Sequence, residues 1–119
     1  MTAIPQRIQL RRVKGFNLQA ESRKLNGLEA VNCSRPGSWA NRFKVGETYF
    51  DGAAHIKILS NEHAVKLFND GVRKNTVYRA LARESLRGKN LACWCKTSEP
   101  CHCDFLLRIA NEDRGEEIK

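Results

Sequence analysis

Residues 89–111 read KNLACWCKTSEPCHCDFLLRIAN, and their pattern decides the class of fold. The opening KNLACW is short, apolar and bounded by turn residues, as a strand buried on both faces is. At the other end, Phe105, Leu106, Ile109 and Ala110 recur at helical spacing and give one apolar stripe. Pro100 is expected in the first turn of that helix, where an N–H would have no intrahelical partner. Between Leu91 and Leu107, where strand gives way to helix, lie four of the chain's five cysteines and one of its three histidines.

The same alternation can be followed upstream. RIQLRRVKG sets Ile8, Leu10 and Val13 among polar residues and stops at Gly15, which predicts a first strand with one wet face. FNLQAESRKLNG reads as a polar connection. LEAVNCS reads as a second strand, ended where Pro36 and Gly37 force a turn. KVGETYFDGAAHIKI, with two glycines, reads equally as an irregular loop or a short hairpin. SNEHAVKLFNDG predicts a helix capped by Ser60 or Asn61, with Ala64, Val65 and Phe68 inward and Gly71 as its stop. NTVYRALARESLRG predicts another, capped by Asn75, with Val77, Leu81 and Leu86 inward and Gly88 as terminator. The sum is one α/β domain with a small, largely parallel sheet flanked by helices, a Rossmann-like arrangement. Its core is expected over residues 7–111, with a charged tail over 112–119. There is no internal repeat or linker.

Composition limits the function classes. At 119 residues one core is expected, and 41% hydrophobic residues are enough to fill it. Nothing approaches a run of about eighteen apolar residues, and the start MTAIPQRIQLRR lacks the order of a secretory signal. A membrane role is therefore not expected, and the protein is read as cytoplasmic. Four cysteines crowded into eleven residues are a poor layout for disulfide stapling and suit reduced thiols, a metal or reactive chemistry. The charge of +8 and a pI near 9.6 favour a polyanionic partner, a nucleotide or nucleic acid, or an acidic protein surface.

The cysteine cluster supports three readings. Cys93, Cys95 and Cys101 with His102 or Cys103 supply enough soft donors for a zinc tetrahedron, although C-x-C followed by adjacent ligands is not the usual knuckle spacing. As a reactive site, Cys101 and His102 would lie in the first helical turn, where free N–H groups stabilise a thiolate, with Cys93 facing the same space. The third reading is packing: small buried thiols and a satisfied histidine. A second unusual segment, NCSRPGSWANRF, gathers Ser34, Arg35, Ser38, Trp39, Asn41 and Arg42. Two guanidiniums, two hydroxyls and an indole suit phosphate binding and base stacking. The alternative is an indole plugging the core and arginines paired locally. Both segments follow predicted strands, and ligands of parallel sheets sit beyond the strands' carboxyl ends, so they are expected to meet in one cleft.

SRPGSWANRFKVG, then AVKLF, then LRGKNLACWCKTSEPCHCDFLLRIAN resembles the phage and bacterial domain-of-unknown-function family numbered four-three-two-six. Its members look like RPSKWGNPF followed by LRGKxLxCWCxPxxPCHxDVLLxLAN, and RIQLRRVKG matches as well, so the resemblance runs from Arg7 to Asn111. It implies kinship, a place in a host's cytoplasm if the chain is phage-encoded, and no reaction. The pattern is matched at Arg35, Trp39, Asn41, Phe43, Cys93, Trp94, Cys95, Cys101, His102 and Asp104. Ala40 and Arg42 replace the family's glycine and proline. Cys103 occupies a variable position, which leaves Cys93, Cys95, Cys101 and His102 as the family-type ligand set. A looser resemblance, to another uncharacterised family with one strand cysteine and a Cys-His-Arg helix start, shares only the equivalents of Cys93, Cys101 and His102.

The expectation drawn from residues and resemblance together is a domain that binds a phosphate-bearing ligand, a nucleotide or nucleic-acid end. Arg35 and Arg42 would hold phosphate, and Ser34, Ser38 and Asp104 are further ligand-binding candidates. Trp39 would stack or shape the pocket, and Asn41 would orient the ligand. Cys101 and His102, with Cys93, would carry any chemistry. The rival is a non-enzymatic module stabilised by zinc on Cys93, Cys95, Cys101 and His102 that binds DNA or a host protein.

Overall fold

The computed structural model of the protein describes residues 4–35 and 37–112; Pro36 and the tail from residue 113 lie outside the described residues. Along the chain run β1 (Arg7–Gln9), α1 (Leu18–Asn26), β2 (Ala30–Asn32), β3 (Thr48–Asp51), β4 (Ala54–Lys57), α2 (Asn61–Arg73), α3 (Thr76–Leu86), β5 (Asn90–Cys93) and α4 (His102–Asn111). The apolar run that opens residues 89–111 is the central strand of a parallel sheet of order β1-β5-β2. Gln9 lies opposite Cys93, and Asn32 opposite Ala92. All four residues of β5 are buried, as strands flanked by neighbours and covered on both faces must be. The single α/β domain with a small parallel sheet is thus the observed architecture, joined by a separate antiparallel pair, β3–β4. The glycine-containing stretch is therefore a hairpin, turned at Gly52 with φ of 63°.

One helix escapes the apolar pattern. Residues read as a polar connection form α1, capped by Asn17 and closed by Gly27 at φ of 81°, where a left-handed residue normally ends a helix. Its inward face is polar. Gln19 exchanges two hydrogen bonds with the backbone of Ala30, and Ser22, fully buried, donates to the carbonyl of Leu28. Asn26 and Asn90 form an amide pair with two bonds of 2.8 Å, while Asn90 also donates to Ser22 Oγ and accepts from the backbone N–H of Gln6. Every donor and acceptor of the buried Asn90 amide is used, so the helix is fixed to the sheet by direction-specific bonds.

The remaining helices bury apolar stripes. Ser60 caps α2, whose Ala64, Phe68 and Val72 face inward, and the helix passes through Gly71 to Arg73. Packing of Phe68 and Val72 on the core outweighs the roughly 1 kcal/mol propensity cost of one glycine. Asn75 caps α3, but its inward face is Tyr78, Ala82 and Leu86; Val77 and Leu81 are exposed. The stripe starts one residue later than expected because Tyr78 packs edge-on against Trp39 and Phe68. Leu10 is buried, whereas Val13 lies beyond β1 and is exposed. In α4, Phe105, Leu106, Ile109 and Ala110 are buried against α3 and β5. Glu112, placed in the tail by the sequence, is buried and accepts from Arg83 and Arg87 through its side chain and carbonyl respectively. Among the described residues no helix is long and apolar enough to cross a membrane.

Candidate functional site

The carboxyl ends of the three parallel strands converge at one edge. The backbone N–H groups of Leu10 and Cys33 donate to the carbonyls of Cys93 and Ala92, each at 2.8 Å, carrying the ladder one residue past β1 and β2. Cys93 ends β5. The chain then turns Trp94 outward and Cys95 partly inward, makes a tight turn at Lys96–Glu99, and returns through Pro100 to α4. Asn61 Nδ2 holds the Pro100 carbonyl at 2.6 Å, and the Arg7 guanidinium holds the Lys96 carbonyl at 2.8 Å. These bonds fix the return path that the cysteine cluster depends on.

The helix begins at His102, not at Pro100. Cys101 is the residue before it, with extended φ and ψ, and its side chain makes no capping bond. Its thiol instead donates to Cys93 Sγ at 3.0 Å. The sulfurs of Cys93, Cys95 and Cys101 lie within 4.8 Å of one another, and Cys101, His102 and Cys103 form a second such group. A tetrahedral zinc thiolate site has sulfur–sulfur edges of about 3.8 Å, so small side-chain movements close the first group on one ion. This cluster of cysteine and histidine side chains is within metal-binding reach.

Electrostatics divides the sulfurs. Hydrogen bonds from Cys101 and then Cys103 pull the Cys93 thiol down to about 3. Cys101 is also lowered, chiefly by the Cys103 thiol. Cys95 is pushed up to about 12 by burial and then by the charge of Cys101, and Cys103 is raised because it donates to Cys101 and to Cys33. Cys93 and Cys101 are both held toward the thiolate, and Cys95 and Cys103 toward the thiol. The sulfurs cannot all ionise side by side; a divalent cation would supply the opposing charge.

His102 is oriented from behind. Its Nε2 lies 2.9 Å from the backbone carbonyl of Cys33, which can only accept, so the ring proton sits on Nε2. Nδ1 then presents a lone pair toward Cys101 Sγ, 3.6 Å away. The Phe68 ring, 5.0 Å off and edge-on, packs the imidazole in place.

Above this cluster is a cleft of about 130 Å³. Ser34, Arg35 and Asn41 form one wall, Asn61 and Val65 of α2 another, and Cys93, Cys95 and His102 the floor. The two unusual segments thus meet at one sheet edge, with Trp94 at the rim. Other expected residues go elsewhere. Trp39 packs on Tyr78 with ring centroids 5.2 Å apart and belongs to the core, because it is the partly buried apolar cover of α3. Ser38 and Arg42 face a separate depression beside Gly71 and Tyr78. Asp104 is largely exposed and pairs with Arg7 at 3.0 Å, outside the cleft. Asn41 lines the cleft, yet its amide donates to the Ala64 carbonyl and accepts from the Phe43 N–H, so it holds the loop on α2. Arg35 also braces the loop, donating to the Asn41 carbonyl at 3.2 Å. Asn61 and the carbonyl of Cys33 escaped the sequence; the first is disguised as a helix start and the second is main chain.

Fold and site together define a small parallel α/β domain with a thiol-rich cleft at its strand ends. The chain belongs to the family described as Domain of unknown function (DUF4326), which matches residues 16–112. The opening strand RIQLRRVKG, part of the resemblance in sequence, lies before the matched segment. No curated protein and no solved structure matches the chain.

Proposed function

We propose that the domain binds zinc on Cys93, Cys95 and Cys101, with His102 Nδ1 as fourth donor, and receives a phosphate-bearing ligand in the cleft above it. The observation that carries this reading is three mutually close sulfurs, one of which, Cys101, also meets an imidazole whose outer nitrogen is already bonded to a carbonyl, at the floor of a cleft that Arg35 lines. Such an outer bond fixes the tautomer of metal-binding histidines. Soft sulfur with one nitrogen suits zinc among divalent ions. Arg35 at the wall and a net charge of +8 favour an anion. The cleft is smaller than the roughly 300 Å³ of ordinary small-molecule pockets, so a phosphate enters it while the rest of the ligand lies outside.

The test is metal content of the purified chain, followed by cobalt substitution. One ion per chain and a thiolate-to-cobalt absorption band are expected, and Arg35→Ala should weaken nucleotide binding without changing metal content. Metal-free protein that takes up no cobalt would reject the zinc reading. A second reading, a metal-free thiol–imidazole site, is favoured by the contacts of Cys101 with Cys93 and His102. It requires Cys101→Ser to abolish function while leaving the fold intact.

A further inference from the structure

Beside the cleft the register creates a larger depression. β1 runs parallel to β5 with Gln9 opposite Cys93, so the two chains leave the sheet side by side. Residues after β1 therefore accompany Trp94 and the turn that follows it. Together with α1 they enclose a groove of about 440 Å³, lined by Arg7, Arg11, Lys14, Phe16 and Thr97 among others. That volume falls within the roughly 300–1,000 Å³ of pockets that take a nucleotide-sized group, whereas the cleft does not.

The charges of this groove are available. Arg7 is committed to Asp104 and to the Lys96 carbonyl. Arg11 and Lys14 of the lining are exposed, as is Arg12 between them in sequence and beside the groove, and no described acidic side chain forms an ion pair with these three. Glu21 is the acid in the lining, and it leaves the groove net basic. Trp94, 45% exposed, lines the cleft, and the guanidinium of Arg12, the residue after Arg11 of the groove, lies 4.7 Å over its ring. The other tryptophan, Trp39, packs on the core; Trp94 offers its indole to solvent at the rim.

We infer that this groove is a binding path for single-stranded nucleic acid, with phosphates on Arg11, Arg12 and Lys14 and a base stacked at Trp94. A basic track beside an exposed aromatic ring is how single strands are held without sequence preference. A duplex keeps its base faces covered and has none to offer the indole. The delivery of a strand end to the cleft rests on the function proposed above, while the groove contacts do not.

The experiment is fluorescence anisotropy of the full chain with a labelled ten-nucleotide oligothymidylate over graded salt. Binding should tighten as salt falls. Replacing Arg11, Arg12 and Lys14 together by alanine should weaken it at least tenfold at low salt and flatten the log–log salt slope by about 2, at roughly 0.7 per lost phosphate contact. Trp94→Ala should weaken binding roughly tenfold with the slope unchanged. Lys57→Ala, exposed on β4, should change affinity less than twofold. Should the triple variant not fold, Arg11→Ala and Lys14→Ala alone should each flatten the slope by about 0.7. Basic-residue variants that bind like the wild type overturn the proposal, as does a duplex or polyglutamate that binds as well as the oligothymidylate. Weakening by Arg35→Ala alone would put the ligand in the cleft and reject the groove. Weakening by the groove variants alone would keep the groove and reject the phosphate reading of the cleft.

Discussion

His102 Nε2 and the backbone carbonyl of Cys33 are 2.9 Å apart, which ties the first residue of α4 to the end of β2 and turns Nδ1 toward Cys101. His102→Ala should therefore lower zinc affinity at least tenfold, read by competition with a chelating dye, while the three sulfurs still bind cobalt. Unchanged affinity would show that His102 only packs.

Each of Cys93→Ser, Cys95→Ser and Cys101→Ser should release the metal and lower the melting temperature, because binding free energy is also folding free energy. Cys33→Ala should retain the metal, since its sulfur lies outside the three-sulfur group and bonds the Val31 carbonyl. Metal content and circular dichroism on the same samples decide this. Chelator treatment of the wild type should reproduce the effect of the serine variants.

Tyr78 gives the pH prediction. Burial raises its phenol from 10.0 to about 12, and its hydroxyl is buried without a hydrogen-bond partner among the described residues. The neutral form is favoured by folding, so its stabilisation is complete below the unfolded value near 10 and is lost as pH rises toward 12. Tyr78→Phe should be as stable as wild type at pH 7, or more stable by up to about 1 kcal/mol. Between pH 10 and 12 it should lose less stability than wild type in urea titrations.

The Asn26–Asn90 amide pair should couple energetically. Asn90→Ala leaves the Gln6 N–H without its acceptor and removes bonds from Ser22 and Asn26, and should cost about 2–3 kcal/mol. A double-mutant cycle with Asn26→Ala should show a coupling of at least about 0.5 kcal/mol. Additive effects would mean that each amide acts alone.

On α3, Leu86→Ala should cost about 2–5 kcal/mol because Leu86 is 1% exposed, whereas Leu81→Ala should stay within about 0.5 kcal/mol. Equal losses in denaturant unfolding would contradict the observed face.

The sequence by itself determined the central strand, the apolar stripes of α2 and α4, the caps Ser60 and Asn75, and the meeting of two loops at one sheet edge. Each rests on local periodicity, on a cap, or on the rule that parallel strands deliver their following loops to a common edge. The cysteine cluster was legible because its members are close in sequence, with His102 and Cys103 left as alternatives for the fourth donor; the resemblance, not the spacing, singled out His102. Only tertiary structure decided the rest. α1 was hidden because it binds the sheet through Gln19, Ser22 and Asn26, and hydrogen bonds between side chains far apart in sequence leave no apolar period. Trp39, Arg42 and Asp104 left the expected site because side-chain direction is set by tertiary partners: Tyr78 for the loop indole and Arg7 for the carboxylate on α4. Arg12 met Trp94 because parallel register laid β1 beside β5, and a register between strands more than eighty residues apart is written in no single segment of the chain.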